Sequence, residues 1–417
     1  MSAANITVDL RQMILAIENA VSLVGMNDTN HGKRVGYIAL QMSQFLGFSR
    51  AETFFIYELG LLHDCGVSSD TVHSHLANLF DWEMSDIHCH IGYDLLHKFK
   101  PLERMALPIL YHHTPWVDLQ KQSISPFNKR VANLIFIADR IDITAAPHYG
   151  PNILLHVDSI KKSIAEKQGT YFNPEFVEVF LKISIPEAFW LALENRHIER
   201  FAWAMGGRGD SDRITLTDLK QLAKIFAYIV DQKSPFTAQH SYSVALISRR
   251  IAELYGFSDT ETIKIEVAAY LHDIGKLHIP DNILDKNGPL SPTERAIINQ
   301  HSYETYEILR LVSGLEEIAL WASYHHDNDL GTGYPFHPTK EALPIPAKII
   351  AVADVFQALL QDRPYRKGMT LEEAVGILEE MKNKGKLDSE IVSLVQNDAE
   401  HCFNLARMEI SLEELLG

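Results

Sequence analysis

The chain has 417 residues, and its 38 Lys and Arg against 54 Asp and Glu give a formal net charge of −16 at pH 7. This charge disfavours non-specific binding to nucleic-acid polymers and to anionic membranes, because both are themselves negative. The length predicts two or three domains, and the apolar content of 46% provides enough side chains for large cores.

The cysteines and the hydropathy pattern indicate a protein of the reducing cytoplasm. Three Cys residues without close spacing predict neither a disulfide framework nor a cysteine-rich zinc site. No apolar run reaches the roughly 18 residues that a membrane span needs, and residues 1–13 lack a signal-peptide pattern. We therefore expect a cytoplasmic protein that meets any anionic substrate through a local cationic site, such as bound metal.

The first half of the chain contains an ordered series of histidines and aspartates. The series consists of a single His, a His-Asp pair, a second single His, a His-His pair and a final Asp: His31, His63, Asp64, His88, His112, His113 and Asp139. Imidazole nitrogen and carboxylate oxygen are both good ligands for divalent cations, so the series indicates a metal site.

The second half repeats this series as His240, His272, Asp273, His301, His325, His326 and Asp354. The first His precedes the His-Asp pair by 32 positions in both halves. The next single His precedes the His-His pair by 24 positions in both. Such agreement predicts two copies of one domain, at residues 1–205 and 214–417, separated by a Gly-rich and charged stretch at residues 204–213.

Helical spacing of apolar residues runs through the chain. Residues 219–229 and 244–254 each carry an apolar stripe, and the second ends at Gly256. Ser291, followed by Pro292 and Glu294, predicts a capped helix start, and residues 185–202 also predict one helix. Alternating patterns are too short to predict strands of any length. We expect an all-α fold of two tandem helical domains.

The second half resembles the HD-GYP family of bacterial cyclic-dinucleotide phosphodiesterases over roughly residues 216–406. The resemblance rests on residues 235–241, on His272-Asp273-Ile274-Gly275-Lys276, on His325-His326, on residues 331–335 with Gly333-Tyr334-Pro335, and on Ala353-Asp354 with residues 362–366. A single His-Asp pair is common among phosphohydrolases, whereas the whole ordered set is specific to this family.

The resemblance implies a site for two metal ions, commonly iron or manganese. His240, His272, Asp273 and Asp354 would hold one ion, and His301, His325 and His326 would hold the second, with Asp273 bridging both. Some members bind a third metal through a Glu four residues before the first His. Phe236 stands at that position here, so we expect two metals.

The resemblance also implies roles in catalysis and substrate binding. Asp273 and Lys276 would be catalytic, and Lys276 would also neutralise charge at phosphorus. Arg363 and Arg366 would bind phosphate through their planar guanidinium groups. The turn at Gly333, Tyr334 and Pro335 would let the backbone approach the nucleotide. In the family this turn also contacts diguanylate cyclases.

The expected reaction opens a cyclic 3′-5′ dinucleotide to its linear form. Departures from the family pattern at Ser234, Leu330 and Gln357 leave the metal ligands intact but bear on base preference. Cyclic di-GMP is the favoured substrate, and 3′3′-cyclic GMP-AMP is the alternative. Two other hypotheses are a phosphohydrolase of mononucleotides and a non-catalytic signalling adaptor. The sequence leaves the oligomeric state and the input signal open.

The first half retains the seven ligand types but lacks the residues that would touch substrate. Val67 occupies the position of Lys276, and the His-His pair is followed by Thr114-Pro115-Trp116. We interpret this half as a degenerate copy that does not hydrolyse cyclic dinucleotides and acts as a scaffold, a regulatory module or half of a pseudo-dimer. Whether it binds metal stays open at this point.

Overall fold

The computed structural model describes residues 7–24, 30–67, 86–150, 152–207, 212–234, 239–362 and 367–408. Apart from two strands of three residues, the regular structure in these ranges is helical, which confirms the expected all-α fold. The chain divides into two compact units. The N-terminal unit is Met13–Asp212, and the C-terminal unit joins Met1–Gln12 to Arg213–Gly417.

The helices of the first half surround α2, which packs against α3 and α7. In chain order they are α1 Leu10–Val21, α2 His31–Phe45, α3 Arg50–Leu62, α4 Asp86–Leu96, α5 Glu103–Leu110, α6 Trp116–Leu119, α7 Pro126–Ala145, α8 Ile153–Ala165, α9 Pro174–Ile183, α10 Glu187–Leu191 and α11 Asn195–Gly206, with a 3₁₀ turn at Ala146–His148.

The helices of the second half surround α13, which packs against α14 and α19. They are α12 Leu216–Asp231, α13 His240–Tyr255, α14 Asp259–Leu271, α15 Asp281–Leu284, α16 Pro292–Asn299, α17 His301–Leu309, α18 Glu316–Ser323, α19 Ile345–Leu360, α20 Leu371–Asn383, α21 Ser389–Asn397 and α22 Ala399–Ala406, with a 3₁₀ turn at Ile274–His278.

Side-chain caps define where several of these helices begin. Ser258, Ser291 and Thr370 each accept a hydrogen bond from the backbone of a Glu three residues later, whose carboxylate bonds back to the cap. These reciprocal bonds satisfy amide groups that the first turn of a helix leaves without partners. The cap at Ser291 matches the start predicted from the sequence.

The single helix predicted at residues 185–202 is wrong, because the chain breaks between α10 and α11. Glu194 is extended, with φ −61° and ψ 139°, directly before α11 begins. Its carboxylate accepts two hydrogen bonds from the backbone N–H of Gly150, at 2.9 and 3.0 Å. This tertiary contact holds Glu194 out of the helical path, and a pattern of apolar residues cannot reveal it.

A short antiparallel ribbon brings the beginning of the chain into the C-terminal unit. Strand β1 at Thr7–Asp9 pairs with β2 at Arg213–Thr215, and Val8 lies opposite Ile214. Val8 and Ile214 are both buried. The expected first domain at residues 1–205 did not anticipate this pairing.

Among the helices that the structure describes, we find none with both the length and the apolar character to cross a membrane.

Candidate metal centre

The 3₁₀ turn that follows α14 places His272 and Asp273 at the middle of the C-terminal unit. Both side chains are buried. A Cβ on Gly275 would lie 2.0 Å from the carbonyl oxygen of His301 and 2.8 Å from the amide nitrogen of Thr305. Only glycine allows the turn to rest this closely on α17, and the contact brings Asp273 to His301.

The Asp273 carboxylate lies between two groups of histidines. Its Oδ2 is 3.5 Å from His240 Nε2 and 3.2 Å from His272 Nε2. Its Oδ1 is 3.5 Å from His301 Nε2 and 3.9 Å from His325 Nε2. One carboxylate oxygen therefore faces each group, which is the arrangement that a bridging ligand requires.

Asp354 completes the first group from the middle of α19. Its Oδ1 is 3.2 Å from His240 Nε2. The other ring nitrogen of His240, Nδ1, hydrogen-bonds to the side-chain oxygen of Gln357, one turn further along α19. Gln357 therefore orients His240, a contact that spacing in the sequence did not indicate.

The second group consists of three imidazoles that pack against one another in tilted and edge-on arrangements. His301 Nε2 and His325 Nε2 are 3.3 Å apart. The ring centroid of His326 lies 4.0 Å from that of His325 and 5.0 Å from that of His301. The structure thus brings all seven sequence-predicted ligands into one buried cluster: His240, His272, Asp273, His301, His325, His326 and Asp354.

Backbone carbonyls fix the direction in which the histidines present their lone pairs. His272, His301 and His325 each donate from Nδ1 to the carbonyl oxygen three residues earlier, at 2.7, 2.6 and 2.6 Å. A carbonyl can only accept, so Nδ1 carries the proton and Nε2 the lone pair. Within the described residues, His272 Nε2 and Asp273 Oδ1 are buried without a hydrogen-bond partner.

Electrostatics favour the protonation states that bind metal. Burial raises the pKa of Asp273 and Asp354, but the surrounding imidazoles outweigh it and hold both values well below the ordinary range. Burial lowers the pKa of His301 to about 4 and that of His326 to about 3. At neutral pH the cluster therefore combines charged carboxylates with neutral imidazoles at His301 and His326, whereas hydrogen bonds to Asp273 and Asp354 outweigh burial and raise the pKa of His240 to about 9. Together with the buried atoms that lack partners, this donor set fits divalent cations.

Lys276 and the Gly-Tyr-Pro turn adjoin the cluster. The ammonium group of Lys276 hydrogen-bonds to Asp273 Oδ2, and about a fifth of its side chain is exposed. A Cβ on Gly333 would lie 2.3 Å from the carbonyl oxygen of His326. Tyr334 donates its backbone N–H to that oxygen, and its ring centroid lies 4.8 Å from that of His326. The absence of a side chain at Gly333 thus lets the turn lie close to the backbone of His326, a candidate ligand.

Three positions named by the sequence lie outside the described residues: Arg363, Arg366 and Phe236. Their predicted roles stay predictions.

The N-terminal unit repeats the cluster around Asp64. One carboxylate oxygen lies 3.4 Å from His63 Nε2 and 3.8 Å from His31 Nε2. The other lies 3.3 Å from His88 Nε2 and 3.8 Å from His112 Nε2. The remaining members, His113 and Asp139, lie against this group.

Four of the differences between the two clusters lie beside the ligands, at positions that spacing from the shared ligands makes equivalent. The N-terminal unit has Val67 for Lys276, Cys89 for Ser302, Arg140 for Val355 and Asp142 for Gln357. Asp142 accepts from His31 Nδ1 at 2.7 Å, as Gln357 does from His240. Sequence reasoning did not single out Cys89, Arg140 or Asp142, although all three follow a ligand by one to three positions.

Comparison with known proteins gives a consistent assignment. The HD domain family model matches residues 224–391. The 3′3′-cGAMP-specific phosphodiesterase 1 of Vibrio cholerae is 35% identical over 424 residues, which cover 99% of this chain and 97% of that protein. The cyclic di-GMP phosphodiesterase response regulator RpfG of Xanthomonas campestris is 39% identical over 162 residues, or 38% of this chain and 42% of that protein.

A solved structure shares the fold over nearly the whole chain. The crystal structure of a cyclic GMP-AMP specific phosphodiesterase from V. cholerae, V-cGAP3, superposes with a TM-score of 0.65 and 23% identity. The match covers 94% of this chain and 98% of that one.

Proposed function

Because this chain belongs to the HD-domain family of cyclic-dinucleotide phosphodiesterases, we propose that its C-terminal unit hydrolyses 3′3′-cyclic GMP-AMP to the linear dinucleotide. The observation that carries this proposal is the buried cluster around Asp273, with the Lys276 ammonium at its edge. Phosphodiesterases of this family depend on metal, and the cluster offers the ligands.

We assign two divalent ions, iron or manganese, to the cluster. His240, His272 and Asp354 would hold one ion, and His301, His325 and His326 would hold the other. Asp273 would bridge them, because its two oxygens face the two groups separately. Bound there, the pair would lower the pKa of a water and offset charge on the phosphodiester.

The side chains of the chain itself supply positioning and charge. The Lys276 ammonium hydrogen-bonds to Asp273 Oδ2 in this structure, and about a fifth of the Lys276 side chain is exposed. A phosphate oxygen entering beside Asp273 would attract that ammonium, which would then stabilise charge developing in the transition state. The Tyr334 ring packs against the His326 ring in a tilted arrangement. The extent to which Arg363 and Arg366 bind phosphate stays a prediction, as do contacts with diguanylate cyclases.

The relatives support the hybrid dinucleotide over cyclic di-GMP as the preferred substrate. The V. cholerae protein named as specific for 3′3′-cGAMP matches this chain across both units. The cyclic di-GMP phosphodiesterases from X. campestris and Thermotoga maritima match only 38% and 40% of it. Cyclic di-GMP, favoured from the sequence alone, is therefore the second candidate substrate.

The test is product chromatography with the purified chain, loaded with manganese or iron under reducing conditions. Each cyclic dinucleotide is supplied separately, and we expect the linear product with a higher kcat/KM for 3′3′-cyclic GMP-AMP. Asp273→Asn should abolish turnover, and Lys276→Met should lower kcat by about a hundredfold, the cost of losing one group that stabilises the transition state.

Asp398→Asn is the matched control, because Asp398 is a surface carboxylate of the same unit paired with Arg250. It should retain turnover. Full activity in Asp273→Asn would show that the reaction takes place in the N-terminal unit. Failure of the loaded protein to cleave any cyclic dinucleotide would refute the assignment, whereas faster cleavage of cyclic di-GMP would overturn only the base preference.

A further inference from the structure

We propose that the N-terminal unit contains a metal site of its own, in which His88, Cys89, His112 and His113 hold a single zinc-class cation. The site differs in donor chemistry from the centre around Asp273, because one of its ligands is sulfur. The four residues each offer one ligand atom, and these atoms lie within 4.8 Å of one another.

Two of the distances between the donors are close to those of a tetrahedral site. His88 Nε2 and His112 Nε2 are 3.3 Å apart, and Cys89 Sγ lies 3.7 Å from His88 Nε2. Zinc binds imidazole nitrogen at about 2.0–2.1 Å and thiolate sulfur at about 2.3 Å, which puts tetrahedral neighbours roughly 3.3–3.6 Å apart. Cys89 Sγ approaches His112 from the Nδ1 side, at 3.5 Å, and the four donors lie within 4.8 Å of one another, so a bound ion would draw them closer together.

A local hydrogen bond leaves the Nε2 lone pair of His112 available. His112 donates from Nδ1 to the carbonyl oxygen of Ile109 at 2.6 Å, so its lone pair is on Nε2. His88 is 1% exposed, and its Nε2 is the nitrogen that faces His112 Nε2 and Cys89 Sγ.

Cys89 sets the preference of the site. The equivalent residue of the C-terminal unit is Ser302, whose Oγ lies 3.2 Å from His301 Nε2. A hydroxyl is a weak ligand, whereas a thiolate favours zinc and cobalt over manganese. On binding, the Cys89 thiol would release its proton to solvent and bond to the ion through sulfur.

Arg140 explains why the N-terminal unit would hold one ion where the other cluster offers room for two. Its Nη2 and Nε donate to Asp139 Oδ2 at 2.8 and 3.0 Å, and both side chains are buried. The Arg140 guanidinium thus pairs with the Asp139 carboxylate, which together with His31 would bind a second ion. Charge repulsion therefore opposes a second dication in that half of the cluster.

The experiment loads the full chain with Co²⁺ and records its absorption spectrum. A cobalt–thiolate bond gives a sulfur-to-metal charge-transfer band in the near ultraviolet, which nitrogen and oxygen ligands do not produce. We expect this band in the wild-type chain and its loss in Cys89→Ser, which installs the residue found in the other copy. In chelator competition the zinc affinity of the N-terminal site should fall at least about tenfold in Cys89→Ser. After chelator treatment the variant should therefore keep one zinc per chain fewer than the wild-type chain.

Two controls locate the signal. Cys65→Ser changes another buried thiol of the same unit and should keep the band. Asp273→Asn removes a ligand of the other unit and should keep it as well. A cobalt-loaded wild-type chain without the band would overturn the proposal, and that measurement needs no variant to fold. A band that persists in Cys89→Ser, or disappears in Asp273→Asn, would equally overturn it.

Discussion

His301 and His326 link the candidate metal centre to the stability of the chain. Their folded pKa values of about 4 and 3 lie below the unfolded value near 6.5. Between these values the unfolded state binds protons that the folded state does not, so stability rises with pH in this window. Chelator-treated protein should therefore unfold at lower urea concentration as the pH falls from 6.5 to 4.

The variant His326→Gln isolates one of these groups. Near pH 5 it should make the dependence of the unfolding free energy on pH shallower by about 1.4 kcal/mol per pH unit, the value for one proton. His240 acts in the opposite sense, because its carboxylate neighbours raise its pKa to about 9 against the effect of burial. Its contribution is present below pH 6.5 and is lost as the pH rises through 9. An unchanged slope in His326→Gln would contradict a neutral buried imidazole.

For individual residues, the sequence predicted which candidate ligands come together but not which other side chains contact them. Equal intervals in the two halves singled out Asp273 and its partners, because a duplicated fold preserves spacing. Gln357, Cys89 and Arg140 could not be found in this way. Each contacts a ligand through the direction of its side chain on a helix, which spacing does not encode.

Glycines decide how closely the elements of the centre approach one another. In Gly275→Ala the new Cβ would meet the backbone of α17 at 2.0 Å, so the 3₁₀ turn and the helix must separate. We expect a loss of about 1–3 kcal/mol in unfolding free energy, together with weaker metal retention. Urea denaturation and metal analysis of the same sample measure the two effects.

Gly376 provides the matched control within α20. A Cβ there would meet no described atom within 4 Å, and its φ is not in the left-handed region. Gly376→Ala should therefore stabilise the chain by about 0.5–1 kcal/mol, because alanine favours a helix over glycine. Equal changes in unfolding free energy for the two substitutions would show that the contact with α17 does not restrict the size of the side chain at position 275.

The helices themselves could largely be predicted, since apolar spacing and cap residues such as Ser291 act locally. The break at Glu194 could not, because its cause is a hydrogen bond to Gly150, 44 positions away.

For the molecule as a whole, the β1–β2 ribbon assigns the first residues of the chain to the unit formed by its second half. Val8 is fully buried opposite Ile214. Val8→Ala should cost about 1–2 kcal/mol of buried apolar contact. Hydrogen exchange should then quicken in α12, which packs on this ribbon, while α7 of the N-terminal unit keeps its protection.

Val131→Ala is the converse variant, because Val131 is fully buried within α7. It should quicken exchange in α7 and leave α12 protected. Faster exchange in both helices for either variant would mean that the two units unfold together. The sequence could not predict this allocation, since a strand of three residues carries almost no pattern and its partner lies in the other half of the chain.

The two strands of the ribbon are synthesised at widely separated times. Thr7 and Arg213 are 206 positions apart, so at 5–20 residues per second the first strand is synthesised roughly 10–40 s before its partner. The intervening unit has time to collapse meanwhile, with an unpaired apolar edge tethered to it. A nascent chain that stalls within this interval would expose the unpaired strand β1 to chaperones. The C-terminal unit can complete its fold only when β2 pairs with β1, which was synthesised first.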